Sequence, residues 1–444
     1  MVAKDTYLRW MAILIFFSIP FNIKKYISLL IQGETHFSLE FSSFFLFFSE
    51  LLVLLFLFLV FFYKRKEILP IVKEGWFFLL LALVGCISIS SSDSILFSVL
   101  SAIHIIIAIL FLFGVATLFR ADILSVRDIM KVFAVQAIIQ TEIGLLQFFH
   151  QSSLGLKFLG EETIGELMRG IAKINSSGMI FLRSYGTLPH PNIFGGILFV
   201  GLMAWMYLFV VPSKRHGVFQ RATALVGLFI TTVGLVVSFS RSAWTVSMVA
   251  GVVCVLFLFF KKQLNHAARE LILFYFVLFS LLVGIFGWLI IPRTTINQND
   301  SAIQERVIYS RIAKTLIFEY PFGVGIGNGI VRAEQEGLYG ANGLINPATH
   351  QPVHNIYLLI AEELGLLGLV LFLVAVFKIF IERRKNLFVI DYFFPSLIII
   401  GLLCIGFFDH YIITSNVGRL MFFGVLGIII GLPKTNDRKN GRHL

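Results

Sequence analysis

Stretches of about 20 apolar residues recur along this chain with short polar breaks between them, the length that a bilayer core about 30 Å thick demands of a helix. About twelve can be drawn, at residues 7–22, 44–63, 76–90, 94–119, 128–150, 193–211, 222–239, 242–260, 270–291, 354–381, 389–408 and 413–432. The first is flanked by Lys4 and Arg9 and is followed by no small-residue cleavage site, so it reads as a retained helix and not as a signal peptide. The pattern predicts an all-α polytopic membrane protein of about twelve transmembrane helices. No linker, low-complexity tract or obvious repeat divides residues 1–444, which predicts a single integral membrane domain. The largest interruption is the polar loop 292–353, between the ninth and tenth helices.

Composition agrees: at 58% hydrophobic and 14% charged, with 49 phenylalanines, the chain is far more apolar than a soluble protein of its size. Cys86, Cys254 and Cys404 all fall inside apolar spans and no CxxC or His/Cys cluster occurs, so neither a disulfide nor a zinc site is expected. The cations set the orientation, because short cytoplasmic loops keep Lys and Arg. Lys64, Arg65, Lys66 and Lys73 share a side with Arg120, Arg127, Lys131, Lys214, Arg215, Arg221, Lys261, Lys262, Arg269, Lys378, Arg383, Arg384, Lys385 and the tail ending at Arg442. That side is expected to be cytoplasmic, with both termini inside. The net charge of +11 is therefore mostly a topology signal, and its scatter over many loops argues against nucleic-acid binding.

The opposite side gathers the unusual residues: segments 23–43 and 151–192, a tight turn at Ser240-Arg241, the loop 292–353, and Asp409-His410-Tyr411. In a bundle, these connections can converge on one cavity near the outer leaflet. Arg241 is the only charge between Ala222 and Phe260 and so marks a hairpin tip. A guanidinium there either snorkels to lipid phosphate or clamps a phosphate or diphosphate through its planar fork. Within 301–320, Ile303, Val307, Ile308, Ile312, Leu316 and Ile317 recur at helical spacing among Arg306, Tyr309, Arg311, Lys314 and Glu319, which predicts an amphipathic helix at the interface. Arg306 and Lys314 read as contacts to anionic lipid. The glycines of Phe322-Gly323-Val324-Gly325-Ile326-Gly327-Asn328-Gly329 allow a compact turn, either a structural hairpin or a phosphate cradle, but match no nucleotide-binding motif.

His354 opens the tenth span, and at 100° per residue Gly365 and Gly368 return to within about 40° of its direction. One helix face would then carry a histidine at its outer end and two glycines below, where a neighbouring helix can pack closely. With an unperturbed pKa near 6.5, that histidine could accept a proton around neutral pH. Glu142, within the fifth span, is expected to pair inside the bundle.

Taken together, His354-Asn355-x9-Gly365-x2-Gly368, the Ser240-Arg241-Ser242 hairpin, Arg311 upstream of Tyr320-Pro321-Phe322-Gly323-Val324-Gly325, and Gly186-Thr187-Leu188-Pro189-His190-Pro191-Asn192 resemble the O-antigen ligase and polymerase superfamily. The motifs cover roughly 180–430, and the topology covers the whole chain. The resemblance implies a GT-C-like bundle with its large extracytoplasmic loop between helices 9 and 10, and a metal-independent, inverting glycosyltransferase without cofactor. Its donor would be a glycan on undecaprenyl diphosphate, and its acceptor a glycolipid or another glycan at the outer face of a bacterial cytoplasmic membrane. By position, Arg241 and Arg311 match the arginines thought to hold the diphosphate, and His354 matches the essential histidine. The charge that grows on the leaving diphosphate suits preorganised arginines, and no DxD cation motif occurs. His190, Asn192, Asn355, Asp409 and His410 are secondary candidates; Asn192 reads as a helix cap and Asp409-His410 as a helix-end pair that could tune His354. The His-Asn-x9-Gly-x2-Gly spacing is the ligase-like form, with a polymerase of surface polysaccharide repeat units as the alternative. A lipid-linked glycan transporter fits less well, since it would be expected to place charges near the midplane on broken helices.

Overall fold

The computed structural model describes residues 2–27, 44–165, 168, 170–176, 178–211, 217–261, 264–294 and 301–433. The chain is helical apart from two antiparallel hairpins, β1 (Lys24–Ile27) with β2 (Phe44–Phe47) and β3 (Lys173–Ser176) with β4 (Met179–Leu182). In chain order the helices are α1 (Val2–Ser18), α2 (Phe48–Glu74), α3 (Trp76–Ser88), α4 (Ile95–Arg120), α5 (Val126–His150), α6 (Pro191–Val210), α7 (Gly217–Ser238), α8 (Arg241–Phe260) and α9 (Asn265–Thr294). After these come α10 (Ser301–Glu319), α11 (Gly329–Gln335), α12 (Leu338–Ala341), α13 (Ile356–Arg383), α14 (Ile390–Ile405), α15 (Tyr411–Thr414) and α16 (Asn416–Gly431). A helix thus overlies every apolar segment drawn from the sequence. Among the described residues, α4 to α9 and α13 are each long and apolar enough to cross a membrane, α2 and α3 meet at a sharp bend, and α14 and α16 are apolar but shorter. The protein is a multi-pass membrane protein. Lys214, Arg215, Lys262, the tail through Arg442 and the outer segment 28–43 lie outside the described residues.

Helix α6 is the centre of the bundle, buried along its whole length. It packs on α5, α7, α8 and α14. Gly196 is what brings the Asp409–Tyr411 connection to its first turn: a Cβ there would sit 1.9 Å from the Tyr411 hydroxyl. The expected hairpin tip is real, since α7 ends at Ser238, α8 begins at Arg241, and Phe239 turns the chain with φ 48°. Helix α10 fulfils the amphipathic reading of 301–320, laying Tyr309, Ile312, Ala313 and Leu316 against α11 and α13. Glu142 does not pair inside the bundle as expected; it lies on the exposed face of α5.

The tenth helix departs from expectation. It starts at Ile356, because Asn355 caps it by accepting from the amides of Tyr357 and Leu358 at 2.9 and 3.0 Å, leaving His354 just outside. Nor does one continuous face run from His354 to the glycines. Helix α13 is broken at Gly365, where φ is 72°, and a Cβ there would meet the Phe322 backbone at 2.5 Å. The glycine-rich turn fills that break: Val324 and Gly325 donate to the carbonyls of Glu362 and Glu363, and Leu366 donates to Pro321. These amides are paired to α13, so the turn is structural and not a phosphate cradle.

At the end of the bundle away from this turn, Arg383 is 2% exposed and donates to Glu74 at 2.6 Å and to the Ile430 carbonyl. Arg120 reaches the same carboxylate at 3.2 Å and the carbonyls of Ile430 and Gly431. Two guanidiniums thereby close the C-terminus of α16 and join α2, α4 and α13 to it. Glu74→Ala would strand Arg383 without its counter-ion. Because Glu74 is 22% exposed, the cost should fall at or below the ~3–5 kcal/mol of a fully buried pair, on the order of 2 kcal/mol. A clear drop in the unfolding midpoint of the detergent-solubilised protein is the expected result.

Candidate active site

The first turn of α6 builds one wall of the site. His190 is the residue that caps the helix, its Nδ1 accepting from the Asn192 amide at 3.1 Å. Asn192 is therefore not the cap expected from the sequence, and its side chain is free to bridge. Its Oδ1 accepts from Arg183 Nη2 at 2.8 Å, and its Nδ2 donates to Asp409 Oδ2 at 2.6 Å. Arg183 also donates through Nε to the Ser238 carbonyl at 2.8 Å, which ties the α7–α8 turn to the same network. Asp409 Oδ1 accepts from the His410 amide at 2.9 Å, and His410 Nδ1 bonds Thr414 Oγ1 at 2.7 Å. The His354 ring stands edge-on to His410 with centroids 4.8 Å apart and is stacked at 5.6 Å on Tyr309 of α10. Residues from five separate stretches of chain therefore meet.

His354 is gripped by rings. Its Nδ1 is buried and has no hydrogen-bond partner among the described residues. A buried polar atom left unpaired is costly, and here it lies beside a cavity of about 340 Å³ lined by His190, His354, Asp409 and His410. Glu363 lines it too, and that carboxylate takes the amides of Gly327 and Gly329.

Two guanidiniums and the Asp409 carboxylate set the charge near His354. Burial, then the Arg293 charge, brings Arg183 down to about 9, which leaves it protonated at neutral pH. Burial, reinforced by Arg183, pushes His190 down to about 3; burial, reinforced by His410, does the same to His354. Burial opposes the Asp409 charge, but the imidazoles of His410, His354 and His190 and the Arg306 guanidinium outweigh it and hold the carboxyl below its usual range. Arg306 bears on His190, His354, Asp409 and His410 alike. Among the described residues, no group of three or more His, Cys, Asp or Glu side chains is arranged to hold a metal ion.

Of the residues expected at the site, His354, His190, Asp409 and His410 come together at the cavity, with Asn192 directly behind Asp409. Asn355 serves as the cap of α13, its Nδ2 reaching the Phe407 carbonyl at 3.2 Å. Arg241 is half-buried at the first residue of α8 and is not among the cavity-lining residues. Arg311 is exposed, donates to Asn342 at 3.2 Å and is not among the cavity-lining residues. Arg306 does not line the cavity either, but its charge bears on His190, His354 and His410 there. A signal for it exists in the sequence, because Arg306 sits two turns before Ala313 on the buried stripe of α10, whereas Arg311 falls on the opposite side. Arg183 and the stacking role of Tyr309 were also missed; nothing in the spacing around them marks either.

Residues 226–373 match the family model described as O-antigen ligase. This match runs from α7 into α13 and supports the O-antigen ligase and polymerase superfamily, which points to an enzyme of that general kind. Comparison with curated proteins gives no match. The matched segment contains Arg241, Arg306 and His354, while His190, Asn192, Asp409 and His410 lie outside it and are carried to it by the fold.

Proposed function

We propose that the protein transfers a glycan from an undecaprenyl-diphosphate carrier to a glycolipid or glycan acceptor, with inversion and without a metal ion, at the outer face of the bacterial cytoplasmic membrane. The observation that carries this reading is the unpaired His354 nitrogen beside a cavity at which His190, His354 and His410 all feel the Arg306 charge. The acceptor hydroxyl oxygen bonds to the anomeric carbon as the bond from that carbon to the diphosphate breaks. The bonding pair leaves with the diphosphate, and the hydroxyl proton passes to His354, which is neutral and able to take it. Arg306, with Arg241 at the turn to which Arg183 is tied, meets the charge that grows on the leaving group. Residues 292–353 act as an outer lid over this centre, contributing Arg306 and Tyr309.

A ligase, in preference to a polymerase, is supported by the His354-Asn355-x9-Gly365-x2-Gly368 form. A transporter is supported less, since His190, His354, Asp409 and His410 sit at helix ends and connections, although His104 and Glu363 lie within helices. The test is transfer by the purified protein from an undecaprenyl-diphosphate-linked glycan, in the presence of chelator, with mass analysis of the product. Transfer to a lipid anchor is expected; stepwise chain extension would favour the polymerase, and strict dependence on added divalent metal would sink the metal-free mechanism.

A further inference from the structure

The cavity has a second polar end. Beyond Thr414, Arg419 of α16 donates to the Thr414 and Ile413 carbonyls at 2.7 and 3.2 Å and lies 3.7 Å from Glu50 of α2. His104 of α4 bonds the same carboxylate at 2.7 Å. Asn416 donates through Nδ2 to Ser49 at 2.7 Å. Glu50, Asn416 and Arg419 are 3%, 5% and 6% exposed. His104, Asn416 and Arg419 line the cavity together with Phe45 and Phe47 of the β1–β2 hairpin, and Phe47 stands edge-on to His104. Asn416 Oδ1 and Arg419 Nε, both buried, have no hydrogen-bond partner among the described residues.

This end differs from the one at His354 in a way that decides what it can hold. Around His354 the surplus is cationic, from Arg183 and Arg306. Here the Arg419 guanidinium faces the Glu50 carboxylate, and Lys24, which lies over the Phe45 ring, is paired with Glu162 at 2.8 Å, so the charges cancel and a ligand bearing its own negative charge would meet Glu50. What remains is an unpaired acceptor, an unpaired donor and aromatic rings in an otherwise apolar wall. Hydroxyl groups satisfy both kinds of atom at once, and the faces of a sugar ring are apolar enough to lie on Phe47.

We propose that the Glu50–His104–Asn416–Arg419 end of the cavity is the acceptor subsite and that it binds an uncharged sugar through its hydroxyls. The inference rests on the transferase reading, under which inversion requires the acceptor to approach the anomeric carbon from the side opposite the diphosphate. The cations define the diphosphate side, and this end lies past the histidines from them.

The test uses full-length protein in lipid nanodiscs, with undecaprenyl-diphosphate-linked glycan and the glycolipid fraction extracted from the source cells as donor and acceptor. Two variants probe the same end by different means: Glu50→Gln removes the carboxylate charge, and Ser101→Leu fills space at a cavity-lining position. Each should raise the acceptor KM about tenfold, as loss of a hydrogen bond to a charged group or of room for the ring implies. In Ser101→Leu, donor KM and slow donor hydrolysis without acceptor should stay at wild-type values, and its unfolding midpoint serves as the folding control. An unchanged acceptor KM in Ser101→Leu overturns the subsite, as does a donor KM that rises in parallel, which would assign this end to the donor glycan. A fall in acceptor KM for Glu50→Gln overturns the uncharged sugar, because unmasking Arg419 favours an anion. Wild-type protein that neither binds nor cleaves the donor would instead overturn the transferase reading itself, and the subsite with it.

Discussion

Arg306→Ala should lower the rate of glycan transfer by about a hundredfold to a thousandfold, the loss seen when one preorganised donor to a developing anion is removed, while Arg311→Ala should stay close to wild type. The two side chains are a turn and a half apart on α10, so composition and local charge change almost equally in both variants. What differs is direction. Arg306 is half-buried and its charge is felt by His190, His354, Asp409 and His410, whereas Arg311 is exposed and spends its fork on Asn342. The loss in Arg306→Ala should appear in kcat more than in donor KM, since the charge it meets is greatest after the anomeric bond begins to break. Arg306→Lys should recover only part of the rate, because an ammonium keeps the charge but not the two-pronged geometry. Both alanine variants should unfold at the wild-type midpoint: the buried stripe of α10, from Tyr309 to Leu316, is untouched. Full activity in Arg306→Ala, or equal loss in Arg311→Ala, would remove Arg306 from the site.

The contrast between these arginines also shows where sequence reasoning stops. Apolar spans are legible because a bilayer imposes one length on every crossing, and a helix overlies each segment drawn. The α7–α8 turn was legible for the same reason: an apolar run too long for one span must fold back, and its lone charge marks the place. Arg306 reads as a lipid contact in the sequence because Arg311 is the one that matches the superfamily's arginine by position, and such a match does not say which side of α10 either charge occupies. The start of α13 was misjudged because hydropathy cannot tell a capping Asn355 from a first helical residue. The Gly365 break was hidden for a further reason: its cause, the Phe322–Gly323 backbone pressing on it, lies on another part of the chain. Arg183 and Asn192 belong to a network that closes only through Ser238 and Asp409, partners remote in sequence. The polar end at Glu50 has the same character, joining α2, α4 and α16.

His354→Ala should abolish transfer while donor still binds, and the pH dependence of the wild type should show why. The ring is held between Tyr309 and His410 by stacking and edge contact, so its removal leaves a gap beside the cavity and no stranded hydrogen-bond partner on Nδ1. The fold should survive, and donor affinity, which the proposed mechanism assigns to arginines, should change little. Burial holds His354 down to about 3, far under the usual histidine range. A lowered pKa means that the proton is already gone at pH 5, so the base form is present from there upward and is lost only as pH falls toward 3. The acid limb of kcat/KM, which reports the free enzyme, should therefore lie below pH 5. A bound diphosphate brings negative charge to the cavity and favours the imidazolium, so the acid limb of kcat should lie at higher pH than that of kcat/KM. A single limb near 6.5 in both profiles would mean that the essential histidine is solvated, and His354 as placed here would not be the base.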